Sequence, residues 1–152
     1  VLARVVGLFS GRGYNIDSLT VAEVDRKRNI SRITITTSGT SQVLQQIRLQ
    51  LRKLVPVHKV ADFPSNKKTL IREMALLKIV SSKTNLEKSK KLCKKYQATV
   101  VDNTSKSIVL EISALKKEID QLIKKLQPLG LASVSRTGVV AMTKGSEVYK
   151  QI

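Results

Sequence analysis

Residues 1–24 predict a helix that stops abruptly and gives way to a strand. Four apolar residues have the i, i+3, i+4, i+7 spacing of one helical face, namely Leu2, Val5, Val6 and Phe9. Gly11 and Gly13 end this helix because they allow backbone angles that a Cβ would forbid. A half-buried strand with alternating apolar residues follows from Leu19. The corner between the two elements combines backbone donors with the Asn15 amide, which suits a small polar ligand but supplies no catalytic group.

The rest of the first part predicts a strand, a second helix and a third strand. Residues 25–29 form a polar connection, and residues 30–37 alternate Ile with Thr as a strand does. Thr40 and Ser41 offer hydroxyl caps for a helix. Its apolar stripe is Val43, Leu44, Ile47, Leu51 and Leu54. Pro56 ends the helix, and residues 57–63 are predicted to be a short strand.

Residues 64–68 contain no apolar strand or helix former, and we place a linker there. A strand over 70–80 and a helix opened by a Thr84–Glu87 capping box are predicted next. The buried face of this helix is expected to be Leu86, Ser89, Leu92, Cys93 and Tyr96.

A hairpin is then predicted, with strands at 99–101 and 108–112 and a turn at 102–103. Ser113 is expected to cap a last helix, which Pro128 and Gly130 end. Its apolar face is Leu115, Ile119, Leu122, Ile123 and Leu126. A final strand is predicted over 131–136.

These elements predict an α+β protein with two ferredoxin-like βαββαβ domains. The second domain, 69–152, contains the complete order of strands and helices. The first domain, 1–63, has the same order without its opening strand, and we expect roughly ten further residues upstream to supply it.

The charge is strongly positive, with 28 Lys and Arg against 11 Asp and Glu, for a net charge of +17. Most of the excess lies in the second domain, on two predicted helices. A solvated helix face in a lysine-rich protein is our preferred interpretation. The alternative is a basic ferredoxin-like module that binds nucleic acid, although the five aromatic residues are scattered and none lies on the strands ITITT and IVLEI.

Neither the cysteine nor the histidine content favours an enzyme. Cys93 is the single cysteine, which excludes an intramolecular disulfide and favours a reducing compartment. It falls on an apolar helix face, where a small buried hydrophobe is expected. His58 is the single histidine and has no cluster of ligands or catalytic partners around it. No apolar run reaches the length of a membrane span.

The sequence resembles the regulatory small subunits of acetolactate synthase, which carry an ACT domain. The run RGYNIDSLTV, at residues 12–21, is the most specific part of the likeness. The likeness extends through residues 31–35, 46–47, 50–54, 60–62 and 72–76 to Arg136-Thr137-Gly138. The resemblance implies that 1–63 is an ACT effector-binding domain.

The resemblance also implies a function, namely activation of a catalytic large subunit and feedback inhibition in branched-chain amino-acid synthesis. The implied effector site comprises Val1, Leu2, Ala3, Asn15 and Ile16. The ACT domains are expected to form a homodimer, with the effectors at its interface. Gln46 and Gln50, on the outer side of the second helix, match a family pattern and are candidates for contact with a partner subunit.

No cofactor is expected in this chain, because the resemblance assigns thiamine diphosphate, Mg and FAD to the catalytic partner. We expect a soluble protein without a membrane partner, in a bacterial cytoplasm or a plastid stroma.

Overall fold

The computed structural model describes residues 1–63 and 68–148, and the chain divides into two units. The first unit is Val1–Leu70 together with the segment that begins at Val139, and the second is Ile71–Gly138. Both combine helices with antiparallel strands, so the predicted α+β class is confirmed.

The first unit contains α1 (Leu2–Gly11), β1 (Ser18–Asp25), β2 (Ile30–Thr36) and α2 (Ser41–Arg52). β1 and β2 pair antiparallel, with Ser18 opposite Thr36. The two helices bury Val5, Phe9 and Ile47 in a small core. Partly buried residues that pack on this core are Tyr14, Ile16, Ile33, Ile35, Val43, Leu51 and Leu54. The order of elements up to the end of α2 is helix, strand, strand, helix, as predicted.

Thr40 caps α2, as its hydroxyl predicted. Its Oγ1 accepts a hydrogen bond from the Val43 N–H at 3.2 Å. We expect Thr40→Ala to lower the free energy of unfolding by about 1 kcal/mol, because a helix N–H loses its acceptor. Urea denaturation measures this change. Thr84→Ala is the control and should change stability by less than about 0.5 kcal/mol, because Thr84 is exposed and does not cap its helix. Equal effects would contradict the assignment of the cap.

The second sheet is built from β3 (Thr69–Val80), β4 (Thr99–Asn103), β5 (Ser107–Ala114) and β6 (Leu131–Thr143). Its strand order is β4-β5-β3-β6. This order puts the first strand of a βαββαβ unit between the third and the fourth, as the ferredoxin-like topology requires. The connecting helices are α3 (Lys83–Lys95) and α4 (Lys116–Leu126), and a short 3-10 turn, Gln127–Leu129, precedes β6.

The second core lies between the helices and the inner face of the sheet. β3 and β5 contribute every second residue, and both helices contribute their apolar stripe. Its fully buried members include Leu77, Ile79, Ile108, Leu110, Ile119, Leu122 and Leu126. Leu86, Ser89 and Cys93 are also buried, as the helical spacing predicted. Gly130 has φ +98°, and a Cβ there would lie 2.6 Å from the Val80 carbonyl oxygen, so glycine is required at this turn.

The predicted strand at 57–63 is wrong, because these residues form no strand. A strand needs a neighbour to accept its hydrogen bonds, and the described sheet of the first unit contains only β1 and β2. The Val57 N–H instead donates to the Leu54 carbonyl at 2.9 Å and turns the chain.

Both predicted caps in the second unit are displaced by two residues. Ser82, and not Thr84, caps α3 by accepting from the Asn85 N–H at 3.4 Å. Ser113 lies inside β5, and the N-cap of α4 is Leu115, whose N–H donates to Glu118 Oε2 at 3.1 Å. α3 begins at Lys83, before its first apolar residue Leu86, and β5 continues to Ala114, beyond its predicted end at 112.

The observed units differ from the predicted domain limits at the C-terminal end. β6 runs to Thr143 and not to Arg136, and its part after Gly138 belongs to the first unit. There the Val139 N–H donates to Ser18 Oγ at 3.4 Å, and the Lys144 N–H donates to the Lys68 carbonyl at 2.8 Å. Of the predicted linker at 64–68, residues 64–67 lie outside the described residues.

Candidate functional site

The corner after α1 is held by hydrogen bonds to both neighbouring elements. The Tyr14 N–H donates to the Phe9 carbonyl at 2.9 Å, which ties the corner to the end of α1. Gly13 has φ +68°, the left-handed conformation that lets the chain leave the helix. The Thr37 hydroxyl donates to the Asn15 carbonyl at 2.6 Å, which ties the corner to the end of β2. The backbone around Asn15 is therefore preorganised.

Asn15 and Ile16 point into different surroundings at this corner. The Asn15 side chain is exposed, and its Nδ2 donates to Asp17 Oδ1 at 2.5 Å. Ile16 is half-buried and packs on the core of the first unit. The corner thus combines an amide, a carboxylate and an aliphatic wall. Sequence reasoning missed Asp17, although its i, i+2 position beside Asn15 in an extended segment would have indicated it.

The structure does not bring Val1, Leu2 and Ala3 together with Asn15. They form the N-terminal end of α1, where no side chain of the described residues caps the helix. The first N–H groups of a helix have no intrahelical partner, and they attract anions. A rise of 1.5 Å per residue puts Leu2 and Gly11 about 14 Å apart, and Asn15 follows Tyr14, whose N–H bonds the Phe9 carbonyl in the last turns of α1. The two halves of the predicted effector site therefore lie at opposite ends of α1 in one chain.

A shallow groove of about 460 Å³ lies beside the corner, between Tyr14 and α2. Its lining is Tyr14, Gln42, Val43, Gln45 and Gln46. The Tyr14 ring packs edge-on against Phe9, with centroids 5.9 Å apart, which fixes one wall of the groove. Gln46 is exposed in the groove, whereas Gln50 is half-buried one turn further along α2.

The described residues contain no cluster that would hold a metal ion. Within 1–63 and 68–148, no three His, Cys, Asp or Glu side chains converge. His58 is exposed, and Cys93 is buried with 3% of its surface accessible. Burial raises the pKa of the Cys93 thiol, which disfavours the reactive thiolate. The prediction that Cys93 is a small core residue is confirmed.

We expect Cys93 to react with an aromatic disulfide reagent at least about 100-fold more slowly in the folded chain than in urea, because the reagent needs an exposed thiolate. The rate of thiol labelling at pH 8, with and without denaturant, measures this. Labelling at the same rate in both conditions would contradict a buried thiol.

A charged cluster in the second unit was not predicted from the sequence. Glu73 on β3 is 5% exposed and binds Arg136 on β6 through two hydrogen bonds, at 2.8 and 2.9 Å. Arg136 also donates to Asp120 on α4 at 2.6 Å. The hydrogen bond to Glu73 is the main cause that raises the pKa of Arg136 above its usual value. The cluster joins two strands and a helix.

Two family descriptions match the chain, one in each half. Residues 1–59 match the family described as the AHAS small subunit-like ACT domain. Residues 72–145 match the family described as the small subunit of acetolactate synthase. No helix in residues 1–63 and 68–148 has the length and apolarity that crossing a membrane requires.

Individual proteins show the same likeness over nearly the whole chain. The acetolactate synthase small subunit of Haemophilus influenzae is 37% identical over 147 residues, which cover 96% of this chain and 89% of that protein. The Bacillus subtilis protein of the same name is 36% identical and covers 97% and 85%. The crystal structure of the small subunit from Thermotoga maritima has a TM-score of 0.85 at 30% identity, covering 96% and 90%. The chain therefore belongs to the family of acetolactate synthase small subunits.

Proposed function

We propose that this chain binds a branched-chain amino acid at the Asn15 corner and thereby makes an acetolactate synthase sensitive to feedback inhibition. Because the chain belongs to this family, it is a regulatory, non-catalytic subunit of an enzyme of branched-chain amino-acid biosynthesis. The observation that carries the finer proposal is the preorganised corner within the matched ACT domain, where an exposed amide lies beside an aliphatic wall.

The chemistry of the corner fits the parts of a branched-chain amino acid. Because Asn15 Nδ2 already donates to Asp17, the amide oxygen is the acceptor offered to an α-ammonium group. Ile16 offers apolar surface to the branched side chain. The α-carboxylate would bind the backbone N–H groups at Val1, Leu2 and Ala3, at the first turn of α1.

The separation of these groups supports a homodimer. A single amino acid is too short to span α1, whose end residues Leu2 and Gly11 lie about 14 Å apart by helix geometry. A second copy of the chain would place its Val1–Ala3 segment against the Asn15 corner of the first. Each site would then take groups from both subunits, and effector binding would depend on the dimer.

The catalytic large subunit is the proposed partner for activation, with Gln46 and Gln50 as contact residues on α2. The groove beside Tyr14 supports Gln46 as a contact residue. The glutamine amides that line this groove can form hydrogen bonds with backbone groups of a docked segment. Thiamine diphosphate, Mg and FAD would be held by the large subunit. The single cysteine fits a bacterial cytoplasm or a plastid stroma as the compartment.

Inhibition then requires a difference in effector affinity between two states of the complex. Isothermal titration calorimetry with valine, leucine and isoleucine tests the binding step on the chain alone. Saturable binding of at least one of them, and none of lysine, supports the proposal. Absence of binding to all three would contradict the site, and a monomer in analytical ultracentrifugation would contradict the shared pocket.

A further inference from the structure

The helices of the second unit carry a dense group of lysines that the regulatory function leaves unexplained. We call it the lysine face, and its members are Lys83, Lys88, Lys90, Lys91, Lys94, Lys95, Lys116, Lys117, Lys124 and Lys125. All of them except the half-buried Lys90 are exposed. α3 and α4 contain no arginine.

Every acidic residue of α3 and α4 is already engaged. Glu87 pairs with Lys90 at 3.2 Å. Glu118 accepts from the Leu115 N–H, and Asp120 binds Arg136. Among the described residues, the nine exposed lysines have no carboxylate within 4.0 Å. The positive charge of the lysine face is therefore not compensated within the described parts of the chain.

The two helices present lysines on the same side of the second sheet. Both bury their apolar stripes in the same core on the inner face of the sheet, so both lie on one side of it. Lys125 Nζ of α4 lies 5.2 Å from the ring centroid of Tyr96, the C-cap residue of α3. This contact brings the lysines at the end of α4 close to those at the end of α3. A shallow groove of about 400 Å³, lined by Lys83, Thr84, Glu87, Lys88 and Lys91, opens on the α3 side.

The helix dipoles favour only four of these lysines, Lys94, Lys95, Lys124 and Lys125, which lie in the last turns of their helices. Lys83, Lys116 and Lys117 lie at the first turns of their helices, where the helix dipole disfavours positive charge. Lys88, Lys91 and Lys95 follow the i, i+3, i+7 spacing, so they repel each other along one stripe. Residues that break a local rule without compensation in the fold are typical of interaction surfaces.

We infer that the lysine face docks on an acidic surface of the catalytic large subunit, so that charge attraction accelerates assembly of the enzyme. This inference rests on the proposed function for the identity of the partner. A protein surface fits better than nucleic acid for two reasons. The lysine face contains no arginine, the residue that forms bidentate hydrogen bonds to phosphate. None of the six described strands contains an aromatic residue on which a base could stack. Dispersed lysines instead attract an acidic partner over the Debye length of about 8 Å and so raise the rate at which the two proteins associate.

The test measures association of the whole chain with the purified large subunit by biolayer interferometry at 50 and 300 mM salt. Lys88→Glu with Lys91→Glu reverses two charges that line the α3 groove. Arg26→Glu with Lys27→Glu is the matched control, since it reverses two exposed charges at the turn between β1 and β2. We expect the first pair to slow association at least about tenfold at low salt and to flatten its salt dependence, whereas the control changes it less than about twofold.

Lys88→Gln with Lys91→Gln should give an intermediate rate, which separates loss of attraction from new repulsion. If the Lys88/Lys91→Glu and Arg26/Lys27→Glu pairs slowed association equally, the slowing would depend only on the net charge of the chain, and the inference would be overturned. If the Lys88 and Lys91 variants associated with the large subunit at an unchanged rate but lost a tight, salt-sensitive binding to RNA, the inference would be overturned and the lysine face would be a nucleic-acid site. If the unsubstituted chain failed to bind the large subunit, the proposed function itself would be contradicted. If every variant bound normally, only the docking role of the lysine face would be contradicted.

Discussion

Replacing Asn15 by alanine is expected to raise the valine concentration for half-maximal inhibition by about tenfold or more, while activation of the large subunit stays within about twofold. A hydrogen bond to a charged group contributes about 1.5–3 kcal/mol, and 1.4 kcal/mol corresponds to a factor of ten in affinity. The backbone of the corner should keep its shape, because the Asn15 carbonyl and not its side chain accepts from Thr37. Inhibition curves of the reconstituted enzyme measure the change.

Asn103→Ala is the matched control for this substitution. Asn103 is an exposed asparagine at the end of β4, in the second unit. Its replacement should leave valine inhibition unchanged. If Asn15→Ala kept the valine sensitivity of the unsubstituted chain, the assignment of the effector site to this corner would be wrong.

Replacing Glu73 by alanine is expected to destabilise the second unit by about 3 kcal/mol, because Arg136 would lose its doubly hydrogen-bonded partner in a buried position. Arg136 is 25% exposed, so water offsets part of the loss, and we take the lower end of the usual range. Chemical denaturation followed by far-UV circular dichroism measures the free energy of unfolding.

Asp120→Ala provides the comparison, since Asp120 is 44% exposed and binds the same arginine. Its removal should lower the free energy of unfolding by no more than about 1 kcal/mol. Replacing Glu73 by Leu together with Arg136 by Met should recover most of the stability, because an apolar pair of similar volume leaves no buried charge unpaired, and Asp120, which loses Arg136, is 44% exposed to water. A loss below 1 kcal/mol for Glu73→Ala would contradict a structural role for the pair.

The sequence predicted the buried faces of α3 and α4 well, because their apolar stripes repeat over three turns, whereas Leu2, Val6 and Leu44 on α1 and α2 are exposed. Leu86, Ser89 and Cys93 are buried on α3 as their spacing indicated, and Ile119, Leu122 and Leu126 are buried on α4. The failures concern features that depend on distant partners. Residues 57–63 have the composition of a strand, but a strand also needs a neighbour to pair with, and a local pattern carries no information about that neighbour.

The same distinction holds for the functional groups. The Asn15 corner was identifiable because glycines, an amide and a strand start are adjacent along the chain. The Glu73–Arg136 pair was not, since its members lie 63 residues apart and meet only through the pairing of β3 with β6. Asp17 lies between these cases, because its two-residue spacing from Asn15 was visible but its hydrogen bond to the amide was not.

The central claim is that this chain regulates a separate catalytic subunit in response to a branched-chain amino acid. Reconstitution tests it most directly, with acetolactate formation by a purified large subunit measured alone, with the chain, and with the chain and increasing valine, leucine or isoleucine. We predict that the chain raises activity and that at least one of the three amino acids then inhibits with a saturable curve that is absent without the chain. Unchanged activity on adding the chain, together with no sensitivity to any of the three, would contradict the account.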